Sequence, residues 1–184
     1  MYSQSKSGLV LEESVKCYEE TDFRKRKGEI MATQTGQASV ALSGYKYFEV
    51  KKLSESANLP SKGNADDAGW DLYSNEAVTI PAGATVLIST GIAMAIPKDH
   101  VGLIWDRSSM GVKGVHRHAG VIDSGYRGPV KVCLHNTAGK PYSVEHGDRI
   151  AQILIQEVPT FRIHNVEELS STDRGSGGFG STGK

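Results

Sequence analysis

Short runs of apolar and β-branched residues, separated by Gly, Pro and Asp, follow one another from residue 45 onward. Such runs between turn residues predict β-strands. A first strand is predicted around Phe48, Val50 and Leu53, and further strands are predicted at 77–80, 85–89, 92–96, 101–105, 130–134 and 150–156. No long segment with a period of 3.6 residues follows residue 45. The pattern therefore predicts an all-β sandwich or barrel and disfavours an α/β fold.

Residues 1–44 have a different texture. Leu11, Val15 and Tyr18 fall at helical spacing, which predicts one short amphipathic helix. The basic run 24–27 is either a solvated charge cluster or a contact for nuclear import or polyanions. Residues 31–39 are small and polar, with too little apolar surface to fold alone. We therefore expect a partly disordered appendage of unknown role at 1–44, a β domain at 45–170 and a glycine-rich arm at 171–184.

Charge and composition narrow the classes of partner. The 184 residues include 21 Lys and Arg and 21 Asp and Glu, so the formal net charge is zero. A neutral chain has no overall field that attracts nucleic acid or membranes. No apolar run reaches the length of a membrane helix, and no apolar signal segment follows Met1. We expect an intracellular, cytoplasmic protein, or a nuclear one if the run 24–27 acts as an import signal.

Five segments concentrate polar chemistry, at 68–72, 106–113, 120–128, 147–152 and in the C-terminal tail. In the third, Asp123 follows an apolar pair and precedes Ser124 and Gly125, which predicts a strand end at a hairpin turn. A carboxylate there can accept a proton from a bound water. The alternative is a turn aspartate that bonds its own backbone. Tyr126, in the same turn, can offer its ring to a sugar or simply cover the sheet.

Two further segments suit phosphate and metal ions. Arg107, Ser108 and Ser109 follow the predicted strand 101–105, and a guanidinium with two hydroxyls suits phosphate oxygens. Asp71 can hold a metal ion through water. The alternatives are a surface arginine beside turn serines and a surface acid on a strand.

The tail carries one false lead and one informative residue. Gly178, Gly183 and Lys184 match most of a Walker A loop, but that loop needs a following Ser or Thr and a helix, and the sequence ends at Lys184. Phe179 lies among glycines with no core to join, which indicates a group that stacks on a flat partner such as a base. The histidines His116 and His118 alternate as on one strand face, without a third ligand for zinc. Cys133 is expected to be a small buried hydrophobe.

Taken in order, the five segments resemble the five motifs of the trimeric dUTP pyrophosphatase family, the dUTPases, over residues 46–184. The most specific are Gly-Val-Ile-Asp-Ser-Gly-Tyr-Arg-Gly at 120–128 and Arg-Gly-Ser-Gly-Gly-Phe-Gly-Ser-Thr-Gly at 174–183. The resemblance implies a distorted jelly-roll fold and a homotrimer whose active sites lie between subunits, with no nucleic-acid or membrane partner. It implies Mg²⁺-assisted hydrolysis of dUTP to dUMP and pyrophosphate, which removes dUTP and supplies dUMP for thymidylate synthesis.

The resemblance also implies a role for each site residue. Asp123 would be the general base and bond the 3′-hydroxyl, Tyr126 would pack under the sugar, and Asp71 would support the water shell of Mg²⁺. Uracil would pair with the backbone around Val121, Ile122 and Lys131, and phosphates would be held by Arg107, Ser108, Ser109 and Gln152. From the arm, Arg174, Ser181 and Thr182 would bind the β- and γ-phosphates and Phe179 would cap the uracil. Gly120 and Gly180 complete the predicted substrate-binding set.

Two alternatives remain beside this interpretation. dCTP deaminases resemble dUTPases in fold, but they place a glutamate where this chain has Cys133, and a thiol cannot replace that carboxylate as a proton acceptor at neutral pH. A binding module that has kept only the fold is the second alternative, although Asp123 and Arg174 are both present. The chain also departs from common family versions at Asp106, where many relatives have Pro or Gly, at Ser109 and at Gly125.

Overall fold

The computed structural model describes residues 31–32, 38–39 and 47–178. The chain divides into two units between Tyr47 and Phe48. In the first unit, β1 (Met31–Ala32) pairs antiparallel with β2 (Ala38–Ser39), where the sequence predicts no strand. The predicted helix around Leu11 and the basic run 24–27 lie outside the described residues.

The second unit is nearly all β. Its strands are β3 (Glu49–Lys52), β4 (Trp70–Tyr73), β5 (Val78–Ile80), β6 (Thr85–Ala95), β7 (His100–Trp105), β8 (Val115–His118), β9 (Val121–Ile122), β10 (Pro129–Asn136), β11 (Tyr142–Val144) and β12 (Arg149–Glu157). One four-residue helix, α1 (Ser108–Gly111), follows β7. Within residues 47–178 the prediction of an all-β fold is confirmed.

Two four-stranded antiparallel sheets form the framework. The first has the order β3-β6-β10-β8 and the second the order β4-β12-β7-β9, and a separate pair joins β11 to β5. The buried faces of both sheets contribute to one core, with Ile88 and Val132 from the first sheet and Leu72 and Ile153 from the second. Burial of these branched side chains is the main stabilising contribution, roughly 1.5–3 kcal/mol each.

Strand β10 illustrates how alternation determines the two faces. Val130, Val132 and Leu134 are buried, whereas Lys131 is exposed and Cys133 is half-buried on the opposite face. The expectation of a buried Cys133 is therefore wrong, because its neighbours at even positions take the inward face. The predicted strand carrying His116 and His118 is confirmed as β8, and His118 lies opposite Cys133 in the register.

Strand β6 differs from its prediction. The sequence predicts two strands, 85–89 and 92–96, but the structure has one strand of 11 residues. Gly91 lies inside it with φ of 68°, and the register against β10 shifts between Pro129 and Lys131. Glycine here forms a bulge that bends a continuous strand, instead of ending it.

No helix among the described residues is long and apolar enough to cross a membrane.

Candidate active site

The turn after β9 presents Asp123 to solvent. β9 is held by pairing with β7, which places Ile122 opposite Gly102. The backbone N–H of Tyr126 donates to the carbonyl oxygen of Asp123 at 3.0 Å, closing a four-residue turn. Asp123 is exposed, and its side chain makes no hydrogen bond with the described residues. The predicted strand end and turn at Asp123 are confirmed, and its carboxylate is free to meet a ligand.

Arg127 stabilises this turn through two hydrogen bonds to its backbone. Its guanidinium donates to the carbonyl oxygens of Ser124 at 2.6 Å and Tyr126 at 2.8 Å. Sequence analysis gave Arg127 no role, because an arginine beside a turn has no pattern that reveals which carbonyls it will reach. The two hydrogen bonds hold the backbone on which both Asp123 and Tyr126 are mounted.

The Tyr126 ring is fixed in position by its two neighbours. Its hydroxyl donates to the carbonyl oxygen of Pro129 at 3.0 Å. The ring packs so closely on Gly128 that a Cβ at that position would overlap the ring and hydroxyl. Glycine at 128 is thus required for this ring orientation, which is a close-approach role that only the structure reveals.

These residues line one open cleft, which we call the Asp123 cleft, of about 460 Å³. Its lining comprises Leu87, Val121, Ile122, Asp123, Tyr126, Pro129 and Lys131. The predicted residues from this segment are therefore brought together, and Leu87 and Pro129 are additions that the sequence did not indicate. Gly120 precedes β9 and does not line the cleft. Its φ is 113°, and its carbonyl oxygen accepts a hydrogen bond from the N–H of Ile104 at 2.8 Å, which ties the start of β9 to β7.

A second cleft, which we call the arginine cleft, has a volume of about 390 Å³. It is lined by Gly63, Asn64, Asp67, Ala68, Gly69, Asp71, Arg107, Ser108, Arg149 and Gln152. Asp71 lies at its centre, only 15% exposed, and pairs with two guanidinium groups. Arg107 Nε donates to Oδ1 at 2.7 Å and Arg149 to Oδ2 at 3.2 Å.

Arg149 is a residue that sequence analysis missed. It lies 78 positions from Asp71 in the chain, and only the pairing of β12 with β4 brings the two together. The Gly-Asp-Arg sequence at 147–149 was a usable signal, since it belongs to the fourth polar segment. Arg107 and Arg149 keep guanidinium N–H groups beyond those that bond Asp71, and these groups can donate to the oxygens of an anion.

The remaining predicted phosphate contacts lie close to Arg107. Ser109 accepts a long hydrogen bond of 3.4 Å from Arg107, and the Gln152 amide donates to the carbonyl oxygen of Asp106 at 2.9 Å. A Cβ on Gly69 would collide with the Gln152 side chain. Gln152 is therefore wedged between Gly69 and the loop after β7.

Asp67 adds a negative charge at the rim of the arginine cleft. The backbone N–H of Asn64 donates to its carboxylate at 2.8 Å and lowers the pKa of Asp67 below its ordinary value. Asp67 is accordingly ionised near neutral pH, with Asp71 the nearer acid to the arginines.

The two clefts have no lining residue in common. One chain therefore carries the predicted base, Asp123, and the predicted phosphate arginine, Arg107, in separate clefts. Arg174 lines neither cleft and donates from Nε to the carbonyl oxygen of Gly177 at 2.9 Å. The predicted contacts Phe179, Gly180, Ser181 and Thr182 lie outside the described residues.

A model of the dUTPase family matches residues 55–183. The chain belongs to the dUTPase family. The deoxyuridine 5′-triphosphate nucleotidohydrolase of Candida albicans is 47% identical over 140 residues, which cover 74% of this chain and 88% of that protein. The corresponding enzyme of Paramecium bursaria Chlorella virus 1 is 46% identical over 73% of this chain and 96% of its own length. The resemblance found in the five segments is confirmed.

Solved dUTPases share the fold. The dUTPase of Staphylococcus bacteriophage 80alpha, in complex with dUpNHpp, is 30% identical with a TM-score of 0.72, covering 76% of this chain and all of that one. A variant of the dUTPase from phage phi11 of S. aureus, 28% identical with a TM-score of 0.65, coordinates a structural Mg(II) ion. It covers 68% of this chain and 100% of that one.

Proposed function

We propose that this protein hydrolyses dUTP to dUMP and pyrophosphate with Asp123 as the general base. The observation that carries the proposal is the exposed Asp123 carboxylate, mounted on a braced turn in a cleft of about 460 Å³. Membership of the dUTPase family supports dUTP as the substrate.

The reaction needs no covalent intermediate. Asp123 accepts a proton from a water molecule whose oxygen attacks the α-phosphorus in line with the leaving group. The bond between the α-phosphorus and the bridging oxygen breaks, and its electron pair leaves with pyrophosphate. A carboxylate within hydrogen-bond reach of that water contributes by orientation as well as by proton transfer.

The Asp123 cleft is suited to the nucleoside. The backbone of Val121, Ile122 and Lys131 offers amide and carbonyl groups to a uracil edge, while Leu87 supplies apolar contact. The Tyr126 ring lies beside Asp123 in the same turn, where it can pack under a deoxyribose. Because Gly128 and Pro129 hold the ring in place, we expect the ring to exclude a 2′-hydroxyl.

The arginine cleft is suited to the triphosphate and its metal ion. No group of three or more His, Cys, Asp or Glu side chains within the described residues is arranged as a metal cage. The carboxylates of Asp67 and Asp71 are hard oxygen donors that fit Mg²⁺, which binds through phosphate oxygens and retained waters with few protein ligands. Asp71 would hold such a water, since each of its oxygens accepts one arginine hydrogen bond and keeps a free lone pair. The ion, Arg107 and Arg149 would neutralise phosphate charge, and the hydroxyls of Ser108 and Ser109 would donate hydrogen bonds to phosphate oxygens.

We infer that the protein is a homotrimer in which each active site combines the Asp123 cleft of one subunit with the arginine cleft of another. On one chain the proposed base and the arginines line different clefts, and we infer that a second subunit brings the two clefts together. Apolar side chains outside both clefts are exposed and would suit subunit contacts, including Val112 at 90% and Phe161 at 83%. The C-terminal arm would then close the site. Arg174, Ser181 and Thr182 would bind phosphates, and Phe179 and Gly180 would contact the uracil.

Deleting residues 175–184 should slow dUTP hydrolysis greatly and leave thermal unfolding unchanged. An unaffected rate would show that the arm does not contribute to the site.

A nucleotide panel tests the proposed reaction. The protein is incubated with dUTP, dCTP, UTP and dTTP plus Mg²⁺, and pyrophosphate and ammonia are both measured. We expect pyrophosphate from dUTP only. Ammonia from dCTP would move the assignment to the deaminases, and no product from any nucleotide would indicate a binding module.

An intracellular, cytoplasmic location is proposed from the sequence alone. If the run 24–27 directs nuclear import, replacing its four basic residues with alanine should shift a fluorescently tagged chain from nucleus to cytoplasm. An unchanged distribution would make the run a solvated charge cluster.

A further inference from the structure

Asp106 occupies the joint between β7 and the arginine cleft. It follows Trp105, the last residue of β7, and precedes Arg107, the N-cap of α1. Its side chain is 33% exposed. Any movement of Asp106 would be passed directly to the backbone of Arg107.

The Asp106 carboxylate connects the two sheets. Oδ1 accepts a hydrogen bond from the backbone N–H of Arg117 at 2.6 Å, and Oδ2 lies 3.3 Å from Nδ1 of His116. Both residues belong to β8, an edge strand of the first sheet, whereas β7 belongs to the second sheet. A backbone N–H at a free strand edge needs an acceptor, and the carboxylate supplies it.

Two more contacts hold the same joint. The Gln152 amide donates to the Asp106 carbonyl oxygen at 2.9 Å. The Arg117 guanidinium lies 4.8 Å from the centroid of the Trp105 ring and donates to the Ala119 carbonyl oxygen at 2.7 Å. Asp106 is thus fixed through its side chain, through its carbonyl group and through the residue before it.

The Arg107 side chain depends on this backbone position. Its guanidinium reaches Asp71, Ser109 and the Arg149 carbonyl oxygen from a single starting point. The two contacts other than Asp71 are long, at 3.4 Å each, so a small backbone displacement would lose them first.

We propose that Asp106 is a positioning residue that sets Arg107 for the triphosphate by bonding the edge of β8. The proposal rests on the proposed role of Arg107 in phosphate binding. Asp106 touches no substrate in this account and acts through Arg107 alone.

The test compares Asp106→Ala with Asp106→Asn. Alanine removes the acceptor for the Arg117 N–H, whereas asparagine keeps an oxygen in place without the charge. We expect Asp106→Ala to raise the KM for dUTP about fivefold with kcat within about twofold, and Asp106→Asn to stay near wild type. Inhibition by deoxyuridine, which has no phosphate, should be unchanged. The matched control is Glu157→Ala, at the opposite end of the β7–β12 pair.

A double-mutant cycle with Arg107→Ala identifies the route of the effect. If Asp106 acts through Arg107, adding Asp106→Ala to Arg107→Ala should change the KM by less than about twofold. A full additional loss, an equal loss in deoxyuridine affinity, or a wild-type KM for Asp106→Ala would each overturn the proposal. Should Asp106→Ala not fold, Asp106→Glu keeps the charge but displaces the acceptor, and it gives the same comparison.

The cycle also distinguishes failure of the proposed phosphate role of Arg107 from failure of the proposed positioning role of Asp106. If Arg107→Ala leaves the KM for dUTP unchanged, the phosphate role of Arg107 fails and the Asp106 proposal fails with it. If Arg107→Ala raises the KM strongly and Asp106→Ala does not, only the Asp106 proposal is overturned.

Discussion

At the residue scale, reactivity depends on how the turn 123–127 is held. The Asp123 carboxylate is exposed because the backbone hydrogen bond from Tyr126 and the guanidinium of Arg127 satisfy the turn without it. A turn aspartate usually bonds its own backbone. Here no described residue bonds the Asp123 side chain, which leaves its carboxylate available to a ligand, as the proposed role of general base requires.

Asp123→Asn should abolish general base catalysis while keeping the shape of the cleft. We expect kcat for dUTP to fall by about two to four orders of magnitude, with dUMP and dUpNHpp affinities within about threefold. Steady-state pyrophosphate release and calorimetric binding measure the two quantities. Glu157→Gln, an exposed acid on β12 outside both clefts, serves as the control. Near-normal turnover by Asp123→Asn would remove Asp123 from the base role.

Gly128→Ala should displace the Tyr126 ring, because the added Cβ would occupy the space of that ring. We expect kcat/KM for dUTP to fall about tenfold and the preference for dUTP over UTP to weaken. Gly125→Ala is the matched control in the same turn, since no atom lies within 4 Å of a Cβ built there. Equal kinetics for the two variants would show that the ring position is unimportant.

At the element scale, Gly91 determines the course of β6. Its φ is 68°, and an added Cβ would lie 2.6 Å from Asn75 Cγ and 2.9 Å from the Ala57 Cβ. Gly91→Ala should therefore lower the free energy of unfolding by about 2 kcal/mol or more, measured by denaturant titration. Gly139→Ala, where no neighbour lies within 4 Å, should change it by less than about 0.5 kcal/mol. A neutral Gly91→Ala would mean that the bulge can relax.

The same glycine shows where sequence reasoning succeeds and fails. The strands β7, β10 and β12 were predictable because each is a run of apolar and β-branched residues flanked by turn residues. The joining of 85–89 and 92–96 into the single strand β6 was not predictable. The sequence alone does not distinguish a glycine that forms a bulge within a strand from a glycine that ends a strand. The short strand β11 was missed for lack of an apolar run of sufficient length.

The candidate site divides in a similar way. The turn at Asp123 could be predicted because Asp-Ser-Gly after an apolar pair is a local signal. The pairing of Asp71 with Arg107 and Arg149 spans 36 and 78 positions and depends on strand register. The supporting roles of Arg127 and Asp106 could not be predicted. Each side chain bonds backbone groups, and every residue has these groups, so the residue types do not reveal such contacts.

At the scale of the whole molecule, the central claim is that one active site combines the Asp123 cleft of one subunit with the arginine cleft of another. The two clefts share no lining residue within a chain, so the proposed base and the proposed phosphate arginine line different clefts. Closed symmetric oligomers repeat such a contact once per subunit. The resemblance to the trimeric dUTPases implies three such contacts, and sedimentation should therefore give the mass of a trimer.

Mixed oligomers of two impaired variants, assayed at a dUTP concentration well below the KM of Arg107→Ala, test this claim most directly. Asp123→Asn and Arg107→Ala chains, each checked for thermal unfolding, are unfolded and refolded together in equal amounts, and dUTP hydrolysis is measured. Random mixing would give about a quarter of sites with both wild-type residues, and therefore about a quarter of wild-type activity. Activity no greater than the sum of the separate variants would contradict the shared site.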